Sequence, residues 1–213
     1  MPRPAVAQSA TTRTALLDAT ERLLARIGYR KITVDDVAQE AGLSRRTVYV
    51  YVGSKEEVVL GTIDRIVDRV SDRLEALARA PGPAPERLGE MLVERVRIRA
   101  ESVRDYAHAL DGIFAGLRPT YLERRRGYFE AEAEQLAKVL RAGIRKGELQ
   151  RRDVRSTSQL LVTATNALLP HGLSPAQLLD VEATLRQARA LAQLLVGGLR
   201  APTPAPHLAR RSP

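Results

Sequence analysis

Between positions 12 and 199 apolar residues recur at intervals of three and four, and no stretch sustains the period of two that a half-buried strand requires. Glycines and prolines such as Gly28, Gly42, Gly147 and the APGPAP run fall between these periodic segments, at intervals suited to helix ends. Such a chain can bury its apolar stripes only by packing helix on helix, so the expected fold class is all-α. With 213 residues, 44% of them hydrophobic, there is enough apolar surface for a substantial core.

The first helix is expected over about 12–27, where Leu16, Ala19, Leu23, Leu24 and Ile27 form one stripe and Gly28 follows as the stop. Thr33 reads as the N-cap of a short second helix: Asp35 and Asp36 suit the positive end of its dipole, and Val34, Val37 and Ala38 face inward. Gly42 supplies a turn, and Ser44 caps a third helix with Val48 and Val52 at i and i+4 on its buried side. Ser54, with Glu57 three positions on, gives a capping box for a long fourth helix. Its apolar face runs from Val59 through Ile66 and Val70 to Leu77, until APGPAP at 80–85 breaks it. Further helices are expected over about 86–100, 103–116 and 119–146, then 154–169 capped by Asp153, and 175–199. The flanks, 1–11 and 200–213, carry few large apolar groups and are expected to be a disordered arm and tail.

Composition removes several function classes. Without cysteine there is no disulfide, thiolate nucleophile or cysteine zinc site, and a reducing cytoplasm is the expected compartment. His108, His171 and His207 lie far apart and lack metal-ligand spacing, and neither a G-x-S-x-G turn nor a Gly-rich phosphate loop is present. No enzyme, cofactor or metal site is expected. No run of about 20 apolar residues and no apolar leader point to a membrane. The net charge of +9 and a pI near 10.4 favour a polyanionic partner.

Two short capped helices joined by A-G-L-S have the pattern of a helix-turn-helix, whose second helix enters the DNA major groove. That second helix is the one in SRRTVYVY, residues 44–51. With its valines inward, Arg45, Arg46, Thr47, Tyr49 and Tyr51 remain at or near the outer surface. Arginine can fork two hydrogen bonds to guanine, threonine can meet a base edge, and tyrosine hydroxyls take phosphate oxygens. Lys55, at the start of the fourth helix, stands where the dipole favours an anion. An isolated R-R-T-x-Y would suit an ordinary solvated helix face; the ordered succession of caps and turn favours DNA.

The stretch TVDDVAQEAGLSRRTVYVYVGSKEEVV, residues 33–59, resembles the N-terminal signature of the tetracycline-repressor (TetR-like) family of bacterial regulators. Ala38, Ala41, Gly42, Leu43, Ser44, Thr47, Tyr49, Lys55 and Glu56 match its pattern; Val52 replaces the commoner Phe, and Val58 or Val59 a Leu. KGELQRRDV, residues 146–154, resembles the turn before the family's last two long helices. The resemblance implies a DNA-binding domain over 12–55 and a larger helical ligand-binding and dimerisation domain over 56–199. It implies DNA contacts by Thr33, Ser44, Arg45, Arg46, Thr47, Tyr49, Tyr51 and Lys55. Base reading falls to Arg45, Arg46 and Thr47, and phosphate contacts fall to Thr33, Tyr49, Tyr51 and Lys55; Arg3 and Arg13, near the N-terminus, are candidates for added backbone or minor-groove contacts.

One helix-turn-helix makes few base contacts, so a homodimer on a palindromic double-stranded operator is expected. The resemblance puts the interface on the last two helices, with Leu160, Leu161, Leu168, Leu185, Leu191 and Leu195. The central helices would then enclose a small-molecule effector, and Met91, Tyr106, His108, Phe114, Tyr121, Phe129 and Asn166 are the candidate lining residues. The resulting expectation is a ligand-released repressor. The alternative is a non-specific architectural DNA-binding protein, which the charge alone would also suit.

Overall fold

A computed structural model describes residues 4–202, with side chains from Ser9 onward. The remaining parts of the two expected disordered flanks, including Arg3 and His207, lie outside the described residues. Helix α1 spans Pro4–Ile27, α2 Val34–Ala41, α3 Arg45–Tyr51, α4 Lys55–Arg79 and α5 Ala84–Val103. A 3-10 segment, Arg104–Ala109, leads into α6, Leu110–Arg145. Then follow α7, Val154–Thr165, two 3-10 turns at Asn166–Leu168 and Pro170–Gly172, α8, Pro175–Leu179, and α9, Val181–Gly197. Among the described residues there is no strand, only an isolated bridge between Leu149 and Arg200.

Local chemistry accounts for the head. The Thr33 hydroxyl accepts the Asp36 N–H at 3.2 Å while the Asp36 carboxylate accepts the Thr33 N–H at 2.9 Å, so α2 opens on a full capping box. It closes at Gly42, whose φ of 67° lies in the left-handed region, with the Leu43 N–H donating to Ala38 O at 2.9 Å. Ser44 accepts the Thr47 N–H at 3.1 Å and opens α3. Ser54 accepts the Glu57 N–H at 3.2 Å, but the expected return bond differs: the Glu57 carboxylate accepts from Gly53 at 2.6 Å. Glu57 therefore clamps the α3–α4 turn one residue further back.

Three element boundaries depart from the sequence reading. The first helix begins at Pro4, because Ala5, Ala7 and Ala10 are strong helix formers and a proline is tolerated in a first turn. The three helices expected over 86–146 are two, joined by the 3-10 segment, where Tyr106 leaves helical geometry at φ −123° and ψ 28°. Pro119 sits inside α6 instead of starting a helix. It removes one bond to the Ala115 carbonyl, and since both residues are exposed, water can satisfy that oxygen. The last expected helix breaks at Asp180, whose carboxylate accepts the Ala183 N–H at 2.9 Å and so caps α9 afresh.

One core cluster runs from the head into the body. Leu16, Leu23, Leu24, Val37, Val48 and Val59 of α1–α4 belong to the same buried cluster as Tyr106, Leu110, Ile113 and Leu117. A second cluster joins Leu74, Leu88, Met91, Leu92, Leu136, Leu140 and Leu161 from α4 to α7. Each such leucine contributes about 1.5–3 kcal/mol on removal from water. Ion pairs brace the head from outside: Arg22 and Arg26 of α1 both hold Glu40 of α2, at 2.7 and 2.8 Å, and Arg65 of α4 holds Asp18 and Glu21 of α1.

Candidate DNA interface and effector cavity

Helix α3 divides its residues as the i, i+4 spacing requires. Val48 is fully buried and Val52, at the C-cap, packs against the same core, while Arg45, Arg46 and Tyr49 are exposed. Val50, which the sequence reading passed over, is 75% exposed and shares that outer surface. Its signal was present: of three valines two apart, only the outer pair can face inward together. Thr47 is half-buried, with its hydroxyl 2.8 Å from that of Ser44. Arg45 pairs with Asp35 in the first turn of α2, a contact between solvated groups that contributes little and can be exchanged for a phosphate or base. Arg46 makes no ion pair among the described residues, which leaves all its donors to solvent or a ligand.

The other expected contacts are more constrained. The Thr33 hydroxyl donates to Asp36 at 2.7 Å besides accepting its cap bond, so its first role is structural. Tyr51 is half-buried against the head core. The Lys55 ammonium lies 4.4 Å from the centre of the Tyr29 ring and donates to Arg30 O at 3.3 Å. This fixes Lys55 between the start of α4 and the turn before α2, a defined position for one positive charge.

A cavity of about 50 Å³ lies where α4, α5, α6 and the Pro170–Gly172 turn meet. Its walls include Ile63, Ile66 and Val67 of α4, Leu110 and Ile113 of α6, and the rings of Tyr106, Phe114, Tyr121, Tyr128 and Phe129. Four of the seven residues expected at a ligand site line it: Tyr106, Phe114, Tyr121 and Phe129. The other three do not. Met91 is fully buried in the second core cluster, His108 is exposed, and the Asn166 side-chain oxygen accepts from Arg95 at 3.0 Å. The reading missed Arg99, His171 and the α4 wall, which reach the cavity only through tertiary packing.

His171 closes one side. Its Nδ1 is 3.3 Å from the Tyr121 hydroxyl, and its ring lies 6.0 to 6.5 Å from those of Phe114, Tyr121 and Phe129. Burial, and then the positive charges of Arg125, Arg99 and Arg95, push its imidazole down to about 4, so it is neutral at pH 7. The unfolded state thus binds more protons between about pH 6.5 and 4, and stability falls as pH falls through that window. Discounted for partial exposure, the loss is about 1 kcal/mol. His171→Phe should keep the ring packing and flatten this part of the stability profile, measured by urea denaturation at several pH values. An unchanged slope would assign the pH dependence to other groups.

Beneath the rings is a buried ionic network. The Arg95 guanidinium, wholly buried, donates to Glu132 at 2.7 Å, to Val162 O at 3.2 Å, to Asn166 at 3.0 Å and to the Thr165 hydroxyl. Arg99 donates to the second Glu132 oxygen and to Arg95 O at 3.0 Å. Burial alone would raise the Glu132 carboxyl's pKa, but the two guanidiniums outweigh it and hold it below the usual carboxylate range. On the α4 side, Asp64 accepts from Arg124 at 2.7 Å and from the Tyr128 hydroxyl, linking α4 to α6 at the cavity wall.

The expected interface leucines separate by burial. Leu161 and Leu185 are each 3% exposed and pack inside the chain's own fold, so they belong to its core and not to an outer face. Leu160 of α7 points outward, as does Leu194 of α9, a residue outside the expected set; Leu168, Leu191 and Leu195 are half-buried. Among the described residues no helix is long and apolar enough to cross a membrane.

Residues 16–62 match the family described as bacterial regulatory proteins, tetR family. The HTH-type transcriptional regulator EthR of Mycobacterium tuberculosis (strain ATCC 25618 / H37Rv) is 43% identical over 67 residues, which is 32% of this chain and 31% of that protein. The chain thus matches about a third of the length of such curated relatives. Over greater lengths the likeness is structural. A TetR/AcrR-family regulator from Thermobifida fusca has a TM-score of 0.67 and 26% identity, covering 87% of this chain and 97% of the other. FadR of Bacillus subtilis, solved in complex with stearoyl-CoA, has a TM-score of 0.65 at 22% identity, covering 87% and 98%, and shares the fold. The chain thus carries a helix-turn-helix head that matches the tetR family, on an all-helical architecture similar to that of solved TetR-family regulators.

Proposed function

We propose that the chain binds a palindromic operator as a homodimer, through Arg45, Arg46, Thr47 and Val50 on α3, and releases it when a small molecule occupies the cavity. One observation carries the reading: α4 begins at the head with Lys55, is tied to α1 through Arg65, and supplies Ile63, Ile66 and Val67 to the cavity wall. A ligand that parts the cavity walls must move α4 against α6, and α4 carries the head with it. Release then follows from the ligand's preference for the conformation whose two heads no longer match the half-site spacing. That FadR is found with stearoyl-CoA supports a ligand-accepting body in this fold. The outward Leu160 and Leu194, with Leu168, Leu191 and Leu195 beside them, support pairing of α7 and α9 across a two-fold axis. Such a protein acts in the cytoplasm, most simply as a repressor, and no catalysis is assigned to it.

The test is selection of bound DNA from a random pool, followed by titration of the selected site at several salt concentrations. An enriched palindrome is expected. Arg46→Ala should relax one symmetric position and cost about 1–3 kcal/mol per contact, with Lys55→Ala weakening all sequences alike. Tight binding with no enriched sequence would give the head over to the architectural alternative.

A further inference from the structure

The charges around the cavity do not balance. Glu132 is the only carboxylate, among the described residues, that pairs with Arg95 or Arg99, and both its oxygens are already used. Arg95 spends its remaining contacts on Val162, Thr165 and Asn166. Arg99 is the member that lines the cavity, and it is more than nine-tenths buried. Two buried guanidiniums thus share one negative charge. Arg125 adds a third cation 5.6 Å from the Phe129 ring and 6.0 Å from the Tyr121 ring, and it makes no ion pair among the described residues. Asp64, next to the wall residue Ile63 on α4, is held by Arg124 and Tyr128. His171 is neutral at pH 7 and supplies no compensating charge. The rest of the wall is aliphatic or aromatic apart from Thr62, whose hydroxyl donates to Val59 O at 2.8 Å.

A positive floor under an apolar, ring-lined wall has a definite chemical complement. A cation would be repelled, and a neutral apolar molecule would bury the excess charge further from water without pairing it. We propose that the cavity is the site of a compact apolar carboxylic acid, bound as its anion with the carboxylate on Arg99 and the hydrocarbon among Phe114, Tyr121 and Phe129. This rests on the reading of the cavity as an effector site and names the class of effector. At about 50 Å³ the space holds a few waters, well short of the roughly 300 Å³ of an ordinary ligand site. The acid must therefore part the three rings as it enters. They stand on α6 opposite α4, so binding and α4 displacement are one event.

The experiment is calorimetric titration of the full chain with hexanoate, octanoate, cinnamate and 4-phenylbutyrate, each against its primary amide. At least one acid should bind about 10- to 100-fold more tightly than its amide, the range of a charged hydrogen-bonded contact. Arg99→Gln should remove that difference and leave the amide unchanged, with circular dichroism reporting the fold. A second measurement needs no variant: the carboxyl pKa of the tightest 13C-carboxyl-labelled acid, bound to the native protein, should fall below its free value. Equal affinity of acids and amides, no binding of any acid at millimolar concentration, or a bound pKa above the free one each overturns the proposal. Operator binding is measured separately. Acid binding without operator release would sink the effector reading and leave the acid site standing; release by neutral compounds alone would do the reverse.

Discussion

Replacing Glu132 with leucine will lower the free energy of unfolding by about 3 to 5 kcal/mol, because it leaves two guanidiniums buried without a counter-charge. Arg95 has no exposed surface, and Glu132 is 3% exposed, so neither can turn to water without opening the packing of α5 against α6. The expected observation is a fall in the urea midpoint at unchanged slope, which marks a change in stability and not in the extent of unfolding. Glu132→Gln, which keeps the shape and one acceptor, should cost less than the leucine. The triple change of Arg95→Met, Arg99→Leu and Glu132→Leu should recover much of the loss, since a buried ion network is seldom more stable than a well-packed apolar replacement. That variant would also lose the preference for acids over amides. If Glu132→Leu costs under about 1 kcal/mol, the two arginines are reached by water and the charge imbalance at the cavity is illusory.

Val48→Asp will abolish operator binding and destabilise the chain by about 3 to 5 kcal/mol, whereas Val50→Asp, two positions on, will leave stability within about 0.5 kcal/mol of the original. Val48 is fully buried between α3 and the rest of the head, and a carboxylate there must either stay uncharged at a cost or pull α3 away. Val50 is three-quarters exposed, so an aspartate there meets only water. It should still weaken DNA binding, by adding a negative charge to the surface that carries Arg46 and Tyr49. Thermal melts of both variants, paired with operator titrations, separate the two effects. Because Val48 and Leu110 lie in one continuous buried cluster, the melt of Val48→Asp should remain a single transition shifted down, and not split into a head and a body. Two resolved transitions would mean that the head is held by its ion pairs more than by the shared core.

These outcomes bear on how far a sequence of this kind can be read. The caps at Thr33, Ser44, Ser54 and Asp153 each join groups three residues apart, and each forms the expected side-chain bond to the third residue of its helix. The outward residues of α3 were legible for the same reason: one buried valine sets the face of a seven-residue helix. Helix ends inside the body were harder. The apolar spacing runs on across Asp180, while a new cap there and the capping box at Ser174 restart the helix in a new direction.

The functional residues divide along the same line. Rings expected at the cavity were found there because aromatics on α6 and on the 3-10 segment before it had to go inside, but Met91 was indistinguishable by spacing from a lining residue and is simply core. Leu161 and Leu185 carried the same apolar signal as Leu160, and only packing separates those that fill the core from the one that faces out.

What the sequence by itself determined is what neighbours within four residues decide: helix periodicity, the caps, the Gly42 turn, and with them a helix-turn-helix presenting Arg45, Arg46 and Tyr49. The tertiary structure alone decided the cavity and its charge. Arg95 meets Glu132 across 37 positions and Thr165 across 70, and His171 meets Tyr121 across 50. No local pattern marks such contacts, because their free energy exists only after α5, α6 and the turn beyond α7 have closed on one another and excluded water.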